Sequence, residues 1–203
     1  MALAEPIHRL TEAEYLEIER KAGFKSEYFQ GEMFAMAGGT RAHSLIAMNL
    51  GRELGNRLRG RSCVVYNSDL RVRVESAGFY TYPDLSVACS EQKLVDNQED
   101  TLLNPVVIVE VLSDSTEAYD RGAKFELYRQ ISSLQEYLLV SQRRPRIEQF
   151  VRQVGSEWLL REAVGLDTKL VLPSLDITVA LAEVFANVEF SPVSLHPERQ
   201  PRN

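Results

Sequence analysis

The hydrophobic and polar positions of the chain follow two periods, one typical of helices and one typical of strands. From Ile46 to Leu58 an apolar residue recurs at every fourth position, which predicts an amphipathic helix. Gly60 follows, where glycine commonly ends a helix. Thr11, with Glu14 three residues later, forms a capping-box pattern for a shorter helix. The predicted helices cover residues 11–21, 43–59, 118–131 and 179–185.

Runs rich in Val, Ile and aromatic residues predict strands between these helices. The sequence SEYFQGEMFAM predicts a hairpin over residues 26–36, with a Gln-Gly-Glu turn. The other predicted strands cover residues 63–66, 70–74, 82–89, 106–112, 136–140, 146–151 and 158–161, of which the last three form an antiparallel meander. This order predicts an α/β or α+β fold, in which a central mixed sheet is flanked by helices. We expect one domain over residues 1–190 and a loose polar tail with prolines over residues 191–203.

The segment NPVVIVEVLS places a carboxylate inside an apolar run. Side chains alternate along a strand, so Glu110 shares one face with Ile108, while Val109 and Val111 lie on the other. Both faces are apolar, which predicts a central strand that is covered on both sides. Burying an ionised carboxylate without a partner is costly. The charge therefore needs a basic partner, a bound proton or a metal ion.

Asp84 has a similar setting, because it lies at the start of the strand predicted over residues 82–89. If this strand pairs antiparallel with the strand of Glu110, the two acids lie at the same edge of the sheet. Two carboxylates that close repel each other unless a cation lies between them, and oxygen ligands on rigid strands suit Mg²⁺ or Mn²⁺. Asp84 and Glu110 are therefore candidate metal ligands. A buried salt bridge from Glu110 to Arg121 or Lys124 is the alternative explanation.

Composition and charge limit the classes of function. The net charge of −6 over 203 residues does not indicate nucleic-acid binding by the whole surface. Seven arginines nevertheless lie between Arg41 and Arg73, which form either a local basic face or an ordinary solvated helix face and loop. No apolar run approaches a membrane span and no signal-peptide pattern is present, so we expect a cytoplasmic location. Cys63 and Cys89 lack the CxxC spacing of a zinc site, and we expect them to be buried free thiols.

The Pro-Asp step at Asp84 and the strand acid Glu110 have the layout of the PD-(D/E)XK phosphodiesterase superfamily, except that Leu112 stands where the motif has lysine. Further stretches extend the likeness: GEMFAMAGGTRAHSLIAMNL, LRGRSCVVYNSDLRVRV, YPDLSVAC, NPVVIVEVLSDSTEAYDRGAKFELYRQISSLQEYLLV and EVF. Together they resemble the Uma-two family of putative restriction endonucleases over residues 11–190. The resemblance implies a restriction-endonuclease-like domain whose catalytic lysine has moved from the strand to the following helix.

The resemblance also implies roles for single residues. Lys124, in DRGAKFELY, takes the place of the catalytic lysine and would stabilise charge on the scissile phosphate or orient the attacking water. Glu32 corresponds to an acid near the metal. His43 matches a family histidine, with helix capping or packing as the alternative role. Asp69 is either a further metal-site acid or a partner of Arg71.

The predicted helix over residues 118–131 presents three of its polar and aromatic residues together. Asp120, Lys124 and Tyr128 follow one another at intervals of four, so they share one helix face. Tyr128 either forms a hydrogen bond within the site or packs as a core aromatic residue.

The sequence thus predicts a metal-dependent DNA endonuclease in which Asp84 and Glu110 hold Mg²⁺ or Mn²⁺ and Lys124 assists the hydrolysis of a phosphodiester bond. Candidate contacts to the DNA backbone are Arg41, Arg71 and Arg73. A homodimer would allow both strands of a duplex to be cut. The alternative is a DNA-binding or partner-dependent protein that keeps the fold without catalysis, which the missing strand lysine and the negative net charge favour.

Overall fold

A computed structural model describes residues 9–190, so the tail predicted over residues 191–203 lies outside the described residues. The strands are β1 (Ser26–Phe29), β2 (Glu32–Ala35), β3 (Cys63–Asn67), β4 (Arg71–Val74), β5 (Phe79–Thr81), β6 (Leu85–Cys89), β7 (Thr101–Leu102), β8 (Val107–Leu112), β9 (Glu136–Ser141), β10 (Arg146–Arg152), β11 (Trp158–Val164), β12 (Lys169–Leu172) and β13 (Ile177–Ala180). The helices are α1 (Glu12–Glu19), α2 (Arg41–Leu58), α3 (Glu117–Tyr119), α4 (Phe125–Tyr128) and α5 (Leu181–Val184).

Over the described residues, the strands form a six-stranded sheet in the order β11-β10-β9-β8-β6-β3, a five-stranded sheet in the order β2-β1-β5-β4-β7 and the pair β12-β13. The six-stranded sheet is mixed, because β8 pairs with β9 in parallel and with β6 antiparallel. β9, β10 and β11 form the predicted antiparallel meander. The prediction of a mixed central sheet flanked by helices is therefore confirmed.

The strand that carries Glu110 is central, as its apolar pattern predicts. All six residues of β8 are buried. Val109 and Val111 pack with α2 residues such as Leu50 in one core, and Ile108 lies in a second core on the opposite face. Burial of apolar area on both faces fixes the strand's register, since a slip of one residue would exchange the two faces.

The hairpin predicted over residues 26–36 forms β1 and β2. Gln30 and Gly31 both have positive φ, the conformation required by a two-residue turn of this kind. At Gly31 a Cβ atom would lie 2.5 Å from the Cβ atom of Arg9, so glycine is required there for space as well as for φ.

The first two predicted helices form close to their expected bounds. Thr11 caps α1 and exchanges hydrogen bonds with Glu14, because its side chain accepts from the Glu14 N–H and its own N–H donates to the Glu14 carboxylate. α2 begins after its cap Thr40, and Gly60 follows it with positive φ. Between residues 9 and 190, no helix has both the length and the apolar character needed to cross a bilayer.

The helix predicted over residues 118–131 forms over residues 117–128, but it is not α-helical throughout. The helix ends at Tyr128, and between α3 and α4 the segment Asp120–Lys124 is a π-helical turn. A π turn inserts one residue and rotates the side chains that follow it about the helix axis. The Tyr137 hydroxyl, on β9, donates a hydrogen bond of 3.0 Å to the main-chain carbonyl of Asp120 within this turn. That tertiary contact has no signal in the helix's own sequence.

The strand predicted over residues 82–89 begins only at Leu85. Pro83 has no N–H to donate to a ladder, so the preceding residues leave the six-stranded sheet, and Phe79–Thr81 joins the other sheet as β5. Asp84 consequently lies at the entry to β6.

The prediction of two free thiols is also wrong. Cys63 on β3 pairs directly with Cys89 on β6, their Cα atoms lie 3.9 Å apart, and their sulfurs form a disulfide. The antiparallel register brings the two residues together, and the spacing of two cysteines in a sequence does not reveal that register. The disulfide ties the edge strand β3 to β6, the strand that Asp84 precedes.

Candidate active site

Glu110, the carboxylate inside β8, has two partners from the helical segment that follows. The Lys124 ammonium lies 2.9 Å from Glu110 Oε1, and the Tyr128 hydroxyl donates a hydrogen bond of 2.7 Å to the same oxygen. All three side chains are buried. The π turn places Lys124 on the side of the helix that faces β8, so the salt bridge considered from the sequence is present. Tyr128 fulfils both of its predicted alternatives, as a core aromatic residue and as a hydrogen-bond donor to the site.

Lys124 lies among three carboxylates. Its ammonium is 3.0 Å from Glu27 Oε1 on β1 and 3.6 Å from Asp120 Oδ1 in the π turn, in addition to Glu110. Glu27 is itself held by the Thr81 and Tyr119 hydroxyls, which donate hydrogen bonds of 2.5 and 3.2 Å to its two oxygens. The Lys124 ammonium is thus the shared counter-ion of three buried acids, which come from both sheets and from the helical segment.

Asp84 joins the cluster from the entry of β6. Its Oδ2 atom accepts a hydrogen bond of 2.7 Å from the main-chain N–H of Val111, the residue after Glu110. His43 Nε2, in the first turn of α2, lies 3.1 Å from the same Asp84 oxygen. The antiparallel pairing of β6 with β8, with Leu85 opposite Val109, brings Asp84 and Glu110 to the same edge as predicted.

The pKa values reflect negative charge that is held away from water. Burial raises the pKa of Glu110 to about 8; Lys124 opposes the rise, and Asp84 and Asp120 add to it. Burial lowers the pKa of Lys124, but the surrounding carboxylates outweigh burial and raise it above its ordinary value, so the amine stays protonated. The hydrogen bond to Asp84 raises the pKa of His43. The cluster therefore has a deficit of positive charge.

A cleft of about 1620 Å³ opens onto this cluster. Its lining includes the cluster residues Glu27, His43, Asp84, Glu110, Asp120 and Lys124. A pocket for a small molecule typically measures roughly 300–1,000 Å³, so the cleft has room for a larger substrate. The acids are thus buried at the base of an open groove rather than sealed in the core.

The donor set suits a hard divalent cation. Over residues 9–190 no three His, Cys, Asp or Glu side chains form a preassembled metal cage. Mg²⁺ needs no such cage, because it commonly binds one or two carboxylates and completes its shell with water and substrate phosphate. Asp84 and Glu110 line the same cleft and are near enough for the charge of Asp84 to raise the pKa of Glu110. A cation between them would remove that repulsion.

Two acids proposed from the resemblance do not join the cluster. Glu32 is exposed on β2 and does not line the cleft. Asp69 is exposed and pairs with Lys25 at 2.6 Å, so Arg71 is not its partner. The acid that the hairpin contributes is Glu27, on the strand that pairs with β2.

The arginines expected to contact DNA point elsewhere. Arg71 is buried and pairs with Asp100, and Arg73 lies 2.8 Å from Glu12 Oε2 on α1. Arg41 is exposed but does not line the cleft. The cleft instead includes the arginines at and beyond the C-terminal half of α2, which are Arg52, Arg59 and Arg61.

Glu27 and Asp120 are functional candidates that are not among the site residues predicted from the sequence. Glu27 has the same signal as Glu110, since it is an acid within a short strand rich in aromatic residues and is buried. Asp120 shares a helix face with Lys124, and this spacing is visible in the sequence. What the sequence did not show is that β1 approaches the helix of Lys124.

Comparisons with known proteins bear on the family and the fold of the chain. The family model Uma2, described as "Putative restriction endonuclease", matches residues 12–182. Two uncharacterized proteins of Synechocystis sp. are similar: slr1290 is 38% identical over 91% of this chain and 96% of its own length, and sll1609 is 38% identical over 79% of this chain and 91% of its own. A crystal structure described as a putative nuclease belonging to DUF820 from Anabaena variabilis has the same fold, with a TM-score of 0.71, 16% identity, and coverage of 87% of this chain and 97% of that one.

Proposed function

The chain belongs to the Uma2 family of putative restriction endonucleases, and we propose from this premise that it is a Mg²⁺-dependent endonuclease that hydrolyses phosphodiester bonds of DNA. The observation that carries the proposal is the gathering of three carboxylates, from Glu27, Glu110 and Asp120, around Lys124 in an open cleft that Asp84 also lines. Such a group repels a phosphodiester unless cations join it, so it suits a metal-assisted reaction.

Asp84 and Glu110 are the residues that would hold Mg²⁺ or Mn²⁺. When bound, the metal ion would neutralise phosphate charge and lower the pKa of a coordinated water. The Val111 N–H fixes the Asp84 carboxylate, and the rigid central strand fixes Glu110, so both oxygen donors are held before substrate binds.

Lys124 acts as a fixed positive charge and not as a base. Its carboxylate neighbours raise its pKa, so it remains an ammonium at any pH where the reaction would run. From this position it stabilises negative charge on the scissile phosphate or donates a hydrogen bond to the attacking water. Glu27 and Asp120 are positioning residues, because they hold the ammonium beside Glu110.

The test is a plasmid-nicking assay with Mg²⁺ and with Mn²⁺ on the wild-type chain and on single variants. Asp84→Ala and Glu110→Ala should each lower cleavage to the background of the assay, because each removes a metal ligand. Lys124→Met should lower the turnover rate about 100- to 1,000-fold and leave metal affinity, measured by calorimetry, unchanged. Cleavage at the wild-type rate in either carboxylate variant would contradict the assignment of Asp84 and Glu110 as metal ligands.

The chain offers matched controls for the loss of an acid. Glu32→Ala and Asp69→Ala each remove an exposed carboxylate that does not line the cleft, so both variants should cleave at the wild-type rate. If these variants lose activity as Glu110→Ala does, the metal-binding acids have been wrongly chosen.

A protein that keeps the fold without catalysis is the second candidate, and one observation favours it. Lys124 and Tyr128 already neutralise and hydrogen-bond Glu110, and Leu112 occupies the strand position where the motif has lysine. This candidate predicts no Mg²⁺-dependent cleavage by the wild-type chain and DNA binding that Glu110→Gln leaves unchanged.

A further inference from the structure

The cleft continues beyond the acidic cluster, and its walls carry large apolar side chains that are open to solvent. Phe24, Phe34, Met48 and Val64 are 64%, 49%, 70% and 41% exposed, respectively, and all four line the cleft. Single exposed apolar residues are common on a protein surface, but several along one groove mark a binding surface. Two of the four are phenylalanines, whose flat rings can stack on another flat group.

Phe34 lies beside the candidate active site. It is paired with Glu27 across the β1–β2 hairpin, and directly paired residues of antiparallel strands point to the same face. Glu27 contacts Lys124, so the ring of Phe34 lies on the face of the hairpin that is turned towards the cluster. β2 is the edge strand of its sheet, which leaves Phe34 uncovered. Phe24 precedes β1 and also lines the cleft.

Basic residues lie farther along the same cleft. Its lining follows α2 from His43 to Leu58, which at about 1.5 Å per residue is a length of about 22 Å. Arg52, Arg59 and Arg61 line this part, and at Gly55 a Cβ atom would meet nothing within 4 Å. The groove therefore carries acids at the cluster, and arginines beside apolar side chains farther along.

We propose that this cleft binds a single strand of DNA, with Phe24 and Phe34 stacked on unpaired bases and with Arg52, Arg59 and Arg61 on the phosphates. The proposal rests on the proposed nuclease function and narrows its substrate class. The physical reason is that bases inside a duplex are already stacked on both faces, so an exposed ring can stack only on a base that is unpaired. An apolar peptide would also cover the rings, but it would give no role to the three arginines.

The test measures binding separately from cleavage. Glu110→Gln in Mg²⁺ serves as the background that does not cut, and fluorescence anisotropy compares three ten-nucleotide probes: single-stranded DNA, a duplex of the same sequence and an abasic deoxyribose-phosphate strand. The single strand should bind at least about tenfold more tightly than the other two. Phe24→Ala and Phe34→Ala should each weaken single-strand binding roughly five- to tenfold and leave abasic-strand binding unchanged. Phe34→Tyr keeps an aromatic ring, so it should bind the single strand as tightly as the background does.

Leu160→Ala is the matched control, since Leu160 on β11 is also 49% exposed but does not line the cleft. This variant should bind all three probes with the affinity of the Glu110→Gln background. Equal affinity for the single-stranded and abasic probes, or an equal loss on all probes in Phe34→Ala, overturns the stacking proposal. If wild-type chain cuts duplex DNA with Mg²⁺ at a rate that does not depend on the two rings, only the stacking proposal fails. If single-strand binding depends on the rings but nothing is cut, the nuclease proposal fails instead.

Discussion

At the scale of single residues, the central feature is a lysine shared by three acids. Lys124 contacts Glu27, Glu110 and Asp120. Asp84 lies next to this group, where it accepts a hydrogen bond from the Val111 N–H. A buried ion pair gains little over an apolar pair, because both charges must leave water. A gain in folding stability therefore does not account for so many carboxylates in one cluster. This is one reason why we propose that the cluster holds a divalent cation.

The pH dependence of stability provides a test at this scale. In the metal-free chain Glu110 has a raised pKa of about 8, so the folded state holds this proton more tightly than the unfolded state does. Its stabilising contribution is complete below the ordinary pKa of about 4.5 and is lost as the pH rises through 8. The free energy of unfolding should therefore fall between pH 5 and pH 9 in EDTA, and fall less in Glu110→Gln.

Urea titrations at pH 5, 7 and 9 measure this difference. Glu32→Gln, which removes an exposed acid outside the cleft, should follow the wild type. A Glu110→Gln variant with the same pH dependence as the wild type would show that Glu110 is not the group that titrates.

At the scale of elements, the π turn between α3 and α4 is what brings the helix into the site. Within the segment Asp120–Lys124 the side chains at both ends are buried, whereas Gly122 and Ala123 between them are exposed. The turn therefore directs one acid and one amine inwards together. π turns occur frequently at functional sites.

Gly122 tests whether the turn depends on glycine. Its φ is not positive, it is exposed, and a Cβ atom added there would meet no atom within 4 Å. Gly122→Ala should raise the free energy of unfolding by about 0.5–1 kcal/mol, because alanine loses less conformational entropy on folding. Denaturant unfolding measures this, with Gly31→Ala as the opposite case: its positive φ and its contact with Arg9 should make that variant less stable. A destabilised Gly122→Ala chain would mean that the turn requires glycine.

At the scale of the whole molecule, the site exists because two sheets approach each other. Glu27 comes from the five-stranded sheet, while Asp84 and Glu110 come from the six-stranded sheet. The cleft between the hairpin and α2 is acidic at its base and basic farther along, although the net charge of the chain is −6. A polyanion would thus meet arginines inside the cleft, although the chain as a whole carries negative charge.

Metal binding should stabilise the whole domain. If Mg²⁺ binds the folded state alone, a concentration 100-fold above its Kd adds about 2.7 kcal/mol to the free energy of unfolding. For a domain of this size, that corresponds to an increase in Tm of roughly 5–11 °C. Differential scanning fluorimetry with Mg²⁺ and with EDTA measures it, and Asp84→Asn should lose the increase. A wild-type Tm that is the same or lower with Mg²⁺ would favour the salt bridge to Lys124, and not a metal ion, as the means by which the charge of Glu110 is balanced.

Features that depend on neighbouring residues in the chain could be read from the sequence. The capping of α1 by Thr11, the hairpin turn at Gly31 and the burial of Glu110 on a two-sided strand follow from local pattern and backbone preference. The placement of Asp84 and Glu110 at the same edge of the sheet could be predicted with one added assumption, that their strands pair antiparallel.

Contacts between distant segments were decided by the tertiary structure alone. The approach of Glu27 to Lys124, the pairing of Arg71 with Asp100 and the disulfide between Cys63 and Cys89 depend on how sheets and strands pack together. The periodicity of a segment states which face is buried, but not which partner covers it, because many packings satisfy the same pattern of apolar and polar residues.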